Sequence, residues 1–524
     1  MLGRSVLRRA RLAGVPRVAR LLLALAVAVP CVVVPCVVVP CVAVPSVASA
    51  DEWGDEGSDE GGSDEGFDFG PPAGATPTTS SAATEPLPAA PPRWWSASAI
   101  LRSDEAIWTE RLGGNPFAKA RQSLDLQWTG KRDAIRVVVS LHAEGDAAYL
   151  VDTASYDQAT LDAYRSLLQI RETLLGLSLG AFELTLGRQI VAFGEGDALS
   201  PLDVANPRDL REPGLADLVD IRVPVLASRL GYFVGAHRLE LMVIHESHFG
   251  FRTPPMGPFS PLPALLTGQG GASGIDIGAL LDGKDLRYRH LQDSFATDQQ
   301  QVLARWVHRG EGLDLGVVAG SVLDTNGVAR TPDYAALLDA SQTQLDIPLD
   351  HLRYELLGTT GATTLGDVLV KWELAFQHRR PISKVTGTTA PQLGVERIDA
   401  IEAMVGLTWR GLADTTLGLE VDKATLLDTP TAMLIPVDAT QIVARIQHTA
   451  LRERLDLLGV ATAFGLRGQY GWLARCEASW LLRDGLRVGL GYVTYQPGDE
   501  LGPFAGLDRH DRLTARLRWD LALP

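Results

Sequence analysis

The amino-acid sequence predicts an all-β protein, a transmembrane antiparallel β-barrel of about 18 strands, with about 16 as the alternative. Segments of roughly ten residues with alternating apolar and polar side chains recur to the C-terminus. Short turns alternate with longer loops between these segments. No run of about 20 apolar residues, which a membrane-spanning helix needs, follows residue 50. Closure into a barrel follows because an open sheet edge would leave backbone groups unpaired in hydrocarbon.

Residues 1–50 have the layout of a secretory signal peptide. Residues 1–20 contain six arginines and no acid, and an apolar segment begins at Leu21. Small residues at positions 48–50 precede the acidic Asp51. These are the charged, apolar and cleavage regions of a signal that is removed on export. Its removal would take the formal net charge from −15 to −21 and leave Cys476 as the single cysteine, which rules out an internal disulfide framework.

Residues 51–92 are predicted to be a disordered acidic tail followed by a linker. Asp51–Gly70 repeats acidic residues and glycines, and Pro71–Pro92 is rich in Pro, Ala and Thr. Such compositions bury too little apolar surface to fold alone. The alternative is that the acidic tail docks on a basic partner. The acidic balance of the whole chain argues against a nucleic-acid partner, which requires a basic face.

Residues 93–524 are predicted to form the barrel. The predicted strands are Ala97–Trp108, Gln122–Trp128, Ala134–Leu141, Leu168–Leu179, Phe182–Phe193, Val225–Val234, His237–Glu246, Gln300–Arg309, Leu313–Ser321, Leu349–Thr359, Gly366–Arg379, Arg397–Arg410, Thr415–Asp422, Gln441–Arg452, Leu455–Phe464, Gly471–Leu482, Leu486–Tyr495 and Asp511–Leu523. Short turns are expected near Gly130, Gly180, Gly235, Gly310, Gly361, Gly411, Glu453 and Asp484. With both termini in the periplasm, the number of strands must be even.

The side chains of the predicted strands divide into an apolar face and a charged face. In Asp367–Arg379, Leu374 and Phe376 alternate with Lys371 and Glu373. A soluble sandwich would place its charges outside and use shorter strands, so the apolar face is predicted to contact lipid. Aromatic residues at strand ends are predicted to form girdles at the two membrane interfaces. They are Trp108, Trp128, Phe193, Trp409, Trp480 and Tyr495.

The charged face predicts a polar lumen. The candidate pore-lining residues are Arg188, Arg305, Lys371, Glu373, Arg445, Arg475, Arg487, Arg512, Arg516 and Arg518. Several of these arginines lie on the last three strands, at the closure seam, where Arg102 of the first strand would join them. A basic stripe favours anionic solutes because it focuses the potential in a confined channel. The alternative is that opposite charges neutralise each other and only brace the wall.

Arg188 does not fit strict alternation. Counting by twos from Phe182 places it on the lipid face, where an arginine at the bilayer midplane costs about 2–4 kcal/mol. A bulge at Gly187 would turn the side chain into the lumen. A position near an interface, with the guanidinium reaching the headgroups, is the other solution.

Two long loops carry candidate functional residues. Gly194–Pro224 is rich in both acids and arginines, but its spacing matches no calcium loop, so a salt-bridged loop is predicted. Ser247–Gln299 is the longest connection, and ordered loops of that length are usually functional. It is the predicted constriction folded into the barrel. Its candidate lining residues are Arg252, Asp276, Asp282, Lys284 and Arg287.

Enzyme signatures are missing from the sequence. It has no Gly-x-Ser-x-Gly elbow, no His-Glu-x-x-His and no phosphate-binding Gly-x-x-x-x-Gly-Lys. No catalytic residue, metal site or cofactor is therefore expected. An outer-membrane enzyme with a Ser/His pair outside the barrel stays an alternative, because such a pair leaves no local motif.

Two segments resemble a known family. Gly187–Leu210 (GRQIVAFGEGDALSPLDVANPRDL) and Arg252–Pro263 (RTPPMGPFSPLP) look like a family of proteobacterial outer-membrane proteins of unknown function, and the chain is more loosely similar to alginate-export-type porins. The resemblance implies an outer-membrane channel of unassigned substrate that serves export with an inner-membrane pump. The other expected partners are outer-membrane lipid and the barrel-assembly machinery.

Together these observations predict a porin-like channel in the outer membrane of a Gram-negative cell, passing small polar or anionic solutes. The main alternative is a closed structural or assembly barrel that binds envelope partners through its acidic tail.

Overall fold

The computed structural model describes residues 94–110, 115–151, 153–263, 284–333, 335, 339, 341–386, 392–428, 438–498 and 502–523. The predicted signal peptide and the tail and linker, residues 1–92, lie outside them. The strands are β1 (Trp95–Trp108), β2 (Phe117–Arg132), β3 (Ile135–Asp146), β4 (Ser166–Leu179), β5 (Phe182–Gln189), β6 (Asp209–Leu210), β7 (Val225–Val234), β8 (His237–Ile244), β9 (Phe251–Arg252), β10 (Asp285–His290), β11 (Gln301–Arg309), β12 (Leu313–Leu323), β13 (Val328–Ala329), β14 (Gln344–Asp350), β15 (Arg353–Leu365), β16 (Val368–Thr386), β17 (Gln392–Leu412), β18 (Thr415–Leu426), β19 (Asp438–Ala450), β20 (Leu455–Phe464), β21 (Trp472–Arg483), β22 (Leu486–Gln496) and β23 (Arg512–Leu523).

Eighteen of these strands form one antiparallel sheet that closes on itself. Each pairs with its sequence neighbours in the sheet, and β1 pairs with both β2 and β23. The closing register runs from Ala97 opposite Leu523 to Trp108 opposite Arg512. Full closure leaves no sheet edge, so every strand has two partners. The predicted barrel of 18 strands is confirmed.

The remaining strands and the helices belong to the loops. β10, β14 and β13 form a small sheet, and β6 pairs with β9 in parallel. The helices are α1 (Ala148–Val151), α2 (Gln158–Tyr164) and α3 (Leu218–Ile221), with 3-10 turns at Thr153–Ser155 and Thr297–Gln299. The side chain of Asp157 caps α2 by accepting a hydrogen bond from the N–H of Thr160 at 2.9 Å.

Short turns and long loops lie at opposite ends of the barrel, as predicted, but some turns lie elsewhere in the sequence. Gly361 was expected in a turn and instead lies inside β15, opposite Trp372 of β16. The turn follows at Gly366, whose φ of 62° is in the left-handed region that tight hairpins require. The predicted strand Leu349–Thr359 also spans a break between β14 and β15. The sequence pattern of Leu349–Thr359 did not show that β14 ends at Asp350 and that β15 begins at Arg353.

The outer face of the barrel is apolar. In β16 the exposed fractions of Leu374 and Phe376 are 48% and 37%, whereas that of Glu373, which precedes Leu374, is 1%. The last strand repeats the pattern, with Leu513 and Leu517 exposed and Arg512 fully buried. A closed barrel with an apolar outer face and a charged interior is an outer-membrane protein. No helix in the described residues is long and apolar enough to cross a membrane.

Four residues predicted for the aromatic girdles are buried instead. The exposed fractions are 5% for Trp108, 1% for Phe193, 6% for Trp409 and 0% for Tyr495. Trp108 packs against Phe259 at the long-loop end of the barrel, with ring centroids 6.0 Å apart. The prediction was wrong for Trp108 and Tyr495 because loop residues pack over these strand ends, which strand periodicity does not show. It was wrong for Phe193 because β5 ends at Gln189 and Phe193 belongs to the connection that follows.

Candidate functional site

The connection between β5 and β7, residues 190–224, lies inside the barrel. We call it the inner loop. Its backbone and side chains contact inward-facing residues on strands that are far apart in the wall. Arg305 of β11 donates a hydrogen bond to the carbonyl of Ala192 (2.9 Å), and Arg512 of β23 pairs with Glu212 (3.4 Å). The inner loop therefore crosses the lumen rather than projecting from its end.

Two glutamates of the wall bind the backbone of the inner loop. The carboxylate of Glu373 on β16 accepts hydrogen bonds from the N–H groups of Glu195 (2.7 Å), Gly196 (2.9 Å) and Leu202 (3.0 Å) and from the hydroxyl of Ser200 (3.0 Å). On β18 the carboxylate of Glu420 accepts from the N–H groups of Asp197 (2.7 Å), Ala198 (2.9 Å) and Leu199 (2.8 Å). Such bonds to an ionised acceptor are stronger than those between neutral groups. We call these two glutamates the wall anchors.

The inner loop needs small residues to approach the wall anchors. A Cβ atom on Gly194 would lie 1.9 Å from the Oγ of Ser200 and 2.5 Å from a carboxylate oxygen of Glu373. One on Gly196 would lie 1.9 Å from the carbonyl oxygen of Leu199. Either side chain would push the backbone amides away from their acceptors. The glycines of the Gly194-Glu195-Gly196 sequence are therefore needed for the inner loop to bind the wall anchors.

A second contact holds the inner loop at the closure seam. Glu212 pairs with Lys119 at 2.7 Å and with Arg121 at 2.8 Å, besides Arg512. Burial alone would raise the pKa of the Glu212 carboxyl, but the three cations outweigh it and hold that pKa far below its usual range. The cluster is buried, and Glu212 is the carboxylate that its three cations share. Arg121 also pairs with Asp146 (3.4 Å) and Glu144 (3.7 Å), but Lys119 and Arg512 have no other ion pair among the described residues, so removing Glu212 would leave those two buried cations without compensation.

Aromatic rings surround the most buried of these cations. The guanidinium carbon of Arg512 lies 4.7 Å from the ring centroid of Phe259, 5.8 Å from that of Trp108 and 5.9 Å from that of Tyr495. The ring faces attract a cation. The hydroxyl of Tyr495 also donates a hydrogen bond to the carbonyl of Pro213 in the inner loop (3.0 Å). Arg512 thus joins the wall, the inner loop and the loop after β9.

Further along the inner loop, Asp217 binds two wall arginines. It pairs with Arg445 at 2.9 Å and with Arg475. Burial would raise the pKa of Asp217, but Arg475 and Arg445 lower it below its usual value. Within the loop, Asp203 pairs with Arg222 at 3.1 Å, and Asp209 with Arg211 at 2.7 Å. The predicted salt-bridged loop Gly194–Pro224 is therefore confirmed.

One carboxyl of the inner loop, that of Glu195, lies near Glu373 and forms no ion pair with the described residues. Burial, and then the charge of Glu373, raises the pKa of Glu195 to about 8. Glu195 is therefore protonated near neutral pH. Its neighbour Asp197 is exposed and pairs with Lys371 at 2.7 Å.

The inner loop separates two cavities. The larger, which we call the seam cavity, is about 320 Å³ and lies between residues 209–223 and strands β1 to β4 and β21 to β23. The smaller is about 160 Å³ and lies towards β12 and β15 to β17. The cations on the wall of the seam cavity are Arg102, Lys119, Arg121, Arg171, Arg211, Arg222, Arg475, Arg512, Arg516 and Arg518, and the acids are Asp104, Glu105, Glu144, Asp209, Glu212, Asp220 and Glu477. In the smaller cavity, Arg208, Arg252 and Arg380 are balanced by Asp203, Asp324 and Glu402.

The structure distributes the candidate pore-lining residues over three environments. Arg305, Lys371, Glu373, Arg445, Arg475 and Arg512 contact the inner loop. Arg516 and Arg518 line the seam cavity, where Arg516 pairs with Asp104 at 2.6 Å. Arg487 pairs with Asp456 on the neighbouring hairpin. Their pore-lining role remains a prediction.

Arg188 lies at the loop end of β5. Gly187 has a φ of 126°, and Arg188 pairs with Glu246 at 3.1 Å and donates to the carbonyl of Pro224 at 3.0 Å. Leu186, two residues earlier, is on the exposed outer face. The guanidinium is thus bound to the chain segments that follow β8 and precede β7.

The candidates on the predicted constriction loop lie among the outer loops. Arg252 lies in β9, beside the inner loop strand β6, with its guanidinium carbon 5.4 Å from the ring of Tyr288. Lys284 donates to the carbonyls of Asp339 (2.8 Å) and Gln342 (2.9 Å). Arg287 pairs with Asp285 at 2.7 Å. Asp276 and Asp282 lie outside the described residues. The constriction role of this loop remains a prediction.

Sequence reasoning missed the function of the wall anchors. Glu373 lies between Thr360 and Met404 in the sheet, and Glu420 between Gly406 and Val443, so neither has a cation directly opposite it on a neighbouring strand. An inward acid without such a neighbour was the available signal that another segment binds it. Among the described residues, no group of acids, histidines or cysteines is arranged to hold a metal ion.

Solved structures similar to this chain include the outer membrane protein opdK from Pseudomonas aeruginosa. Pseudomonas aeruginosa OccK11 (OpdR) has 12% identity and a TM-score of 0.43, over 82% of this chain and 96% of that chain. Acinetobacter baumannii OccAB1 has 7% identity and a TM-score of 0.46, over 82% and 97%. Pseudomonas aeruginosa OpdK, solved with vanillate, has 11% identity and a TM-score of 0.44, over 82% and 99%. No curated protein sequence matches the chain. The family model for a protein of unknown function (DUF1302) matches residues 118–523, which is most of the chain, and the protein therefore belongs to that family, as its Gly187–Leu210 and Arg252–Pro263 segments predicted.

Proposed function

We propose that the protein is an outer-membrane channel that passes small polar or anionic solutes and that the inner loop is its constriction. The observation that carries the proposal is a charged segment fixed across the interior of a closed membrane barrel, with a cation-rich cavity beside it. A barrel that served only as a membrane anchor would gain more stability from an apolar, densely packed interior than from many desolvated ions. Charged groups around a water-filled passage are what selects solutes in channels.

The test is the conductance of the refolded mature chain, residues 51–524, in a planar bilayer with a salt gradient. We expect steady openings and a reversal potential displaced towards the anion equilibrium potential. Silence from a protein that is folded and inserted would contradict the channel.

The second candidate function is a closed barrel that binds envelope partners. Extensive pairing of the interior ions favours it: Arg211, for example, pairs with both Glu144 and Asp209. Deleting residues 51–70 separates the two candidates. A channel with a passive tail would keep its conductance, whereas a docking barrel would lose its partner in pull-downs.

Export with an inner-membrane pump belongs to the same proposal, because the looser likeness to alginate-export porins implies it. Its test is crosslinking of the full-length protein in cells. A reproducible crosslink to a pump or its periplasmic adaptor would support export, and crosslinks to the assembly machinery alone would contradict it.

A further inference from the structure

Three arginines form one cross-strand row where the barrel closes. Arg102 of β1 lies opposite Arg518 of β23, and Arg518 lies opposite Arg487 of β22. Adjacent strands are about 4.8 Å apart, and like charges directly opposite each other destabilise a sheet. Strand pairing therefore does not explain why the row exists.

The acids beside the row bind only some of the N–H groups of Arg102 and Arg518. Arg102 pairs with Asp125 through Nη1 at 3.1 Å, and Arg518 pairs with Asp520 through Nε at 2.9 Å. No other ion pair involves these two arginines in the part of the chain that the structure describes. Their side chains are 29% and 41% exposed. The remaining N–H groups are therefore accessible from the seam cavity that both arginines line.

The seam cavity as a whole has more cations than acids, ten against seven. Part of the reason is that Asp125 and Asp520 are not on its wall. In addition, Arg171 of β4 lines the cavity and has no carboxylate within ion-pair distance among the described residues; Nη2 donates weakly to the carbonyl of Arg222 at 3.4 Å. The excess positive charge is not repeated in the smaller cavity, where cations and acids are equal in number.

We propose that the seam cavity binds a small organic oxyanion, a solute with a carboxylate or phosphate group, through Arg102 and Arg518, with Arg171 supplying further positive charge. The planar fork of guanidinium N–H groups matches two oxygens of such an anion. A volume of about 320 Å³ lies at the lower end of the range for small-molecule sites. This inference rests on the proposed channel and names the substrate class that the channel selects.

The test is block of the potassium chloride current through the mature chain by succinate and, separately, by inorganic phosphate. We expect the double variant R102Q/R518Q to raise the concentration for half-block at least tenfold and to move the reversal potential towards cation selectivity. The probe that blocks wild type at the lower concentration identifies the preferred oxyanion. The matched control is R208Q/R380Q, which removes two cations from the smaller cavity and should change half-block less than threefold.

Equal weakening by both double variants, or no effect of R102Q/R518Q, would overturn the site. If R102Q/R518Q does not fold, R171Q takes its place, because Arg171 forms no ion pair with the residues that the structure describes. At least a threefold weakening is expected, and an unchanged half-block overturns the proposal. If the folded wild type is silent, the channel proposal fails, and titration calorimetry of succinate into the detergent-solubilised barrel decides the site. Binding that R102Q/R518Q abolishes would support the site without a channel, and absence of binding to wild type would refute it.

Discussion

Replacing Glu373 by glutamine should release the inner loop. The carboxylate accepts hydrogen bonds from three backbone N–H groups and from the Ser200 hydroxyl, and its side chain is 1% exposed. Hydrogen bonds to a charged group contribute about 1.5–3 kcal/mol each, and glutamine keeps one acceptor oxygen while turning an NH2 group towards other donors. Loss of the equivalent of one or two such bonds amounts to about 3 kcal/mol, a shift of about 100-fold in the ratio of undocked to docked loop.

The assay is single-channel recording of wild type and E373Q in the same salt. We expect E373Q to show larger or more frequent conductance steps, and E373Q/E420Q to increase them further, because Glu420 anchors the adjacent backbone. The matched control is E183Q. Glu183 is an acid of the wall that pairs with Arg238 at 3.7 Å, near the short turns. Identical traces from folded E373Q and wild type would refute the reasoning that this carboxylate holds a constriction.

Three further outcomes are expected. G187A should reduce the yield of folded, heat-modifiable barrel, because Gly187 has a φ of 126° and an added Cβ would lie 2.1 Å from the carbonyl oxygen of Thr173. The control G176A should fold, because the nearest atom to a Cβ added at Gly176 is 3.6 Å away. Equal yields of the two variants would contradict this. Because burial raises the pKa of Glu195 to about 8, docking of the inner loop is favoured at low pH and weakens as pH rises through about 8. Current noise should therefore grow between about pH 5 and 8 and level off above that, and an equally steep dependence in E195Q would contradict this. E212Q leaves buried cations uncompensated and should lower the free energy of unfolding by about 3–5 kcal/mol in denaturant titration; an unchanged midpoint would argue against the buried cluster.

The wall of the barrel could be predicted from sequence because its periodicity is local. Each strand alternates between lipid and lumen, so β7 and β20 were predicted to the residue, as Val225–Val234 and Leu455–Phe464. Strand ends were less certain where polar alternation continued past the membrane, as in β16 and β17, which extend to Thr386 and start at Gln392. Local pattern decides which face a residue lies on, but not how far a strand extends beyond the bilayer.

The path of the inner loop could not be predicted in the same way. Its acids and arginines showed that it would form ion pairs, but their partners, such as Arg445 and Arg475 for Asp217, are more than 200 residues away in sequence. Phe193 was assigned to a membrane interface because it ends the predicted strand Phe182–Phe193, yet the strand stops at Gln189 and Phe193 packs inside, under the guanidinium of Arg305. Contacts between a loop and a distant wall depend on closure of the whole barrel, which no sequence window contains.

Anchoring through the main chain has an evolutionary consequence for the inner loop. The wall anchors bind amide N–H groups, which every residue except proline has, and not the side chains of residues 197–199. Mutations at those three positions can therefore accumulate without loss of the attachment, provided that Gly194 and Gly196 are kept. Related barrels could diverge in what they admit while they keep the same fixed segment, so that transport specificity and assembly would be under separate selection.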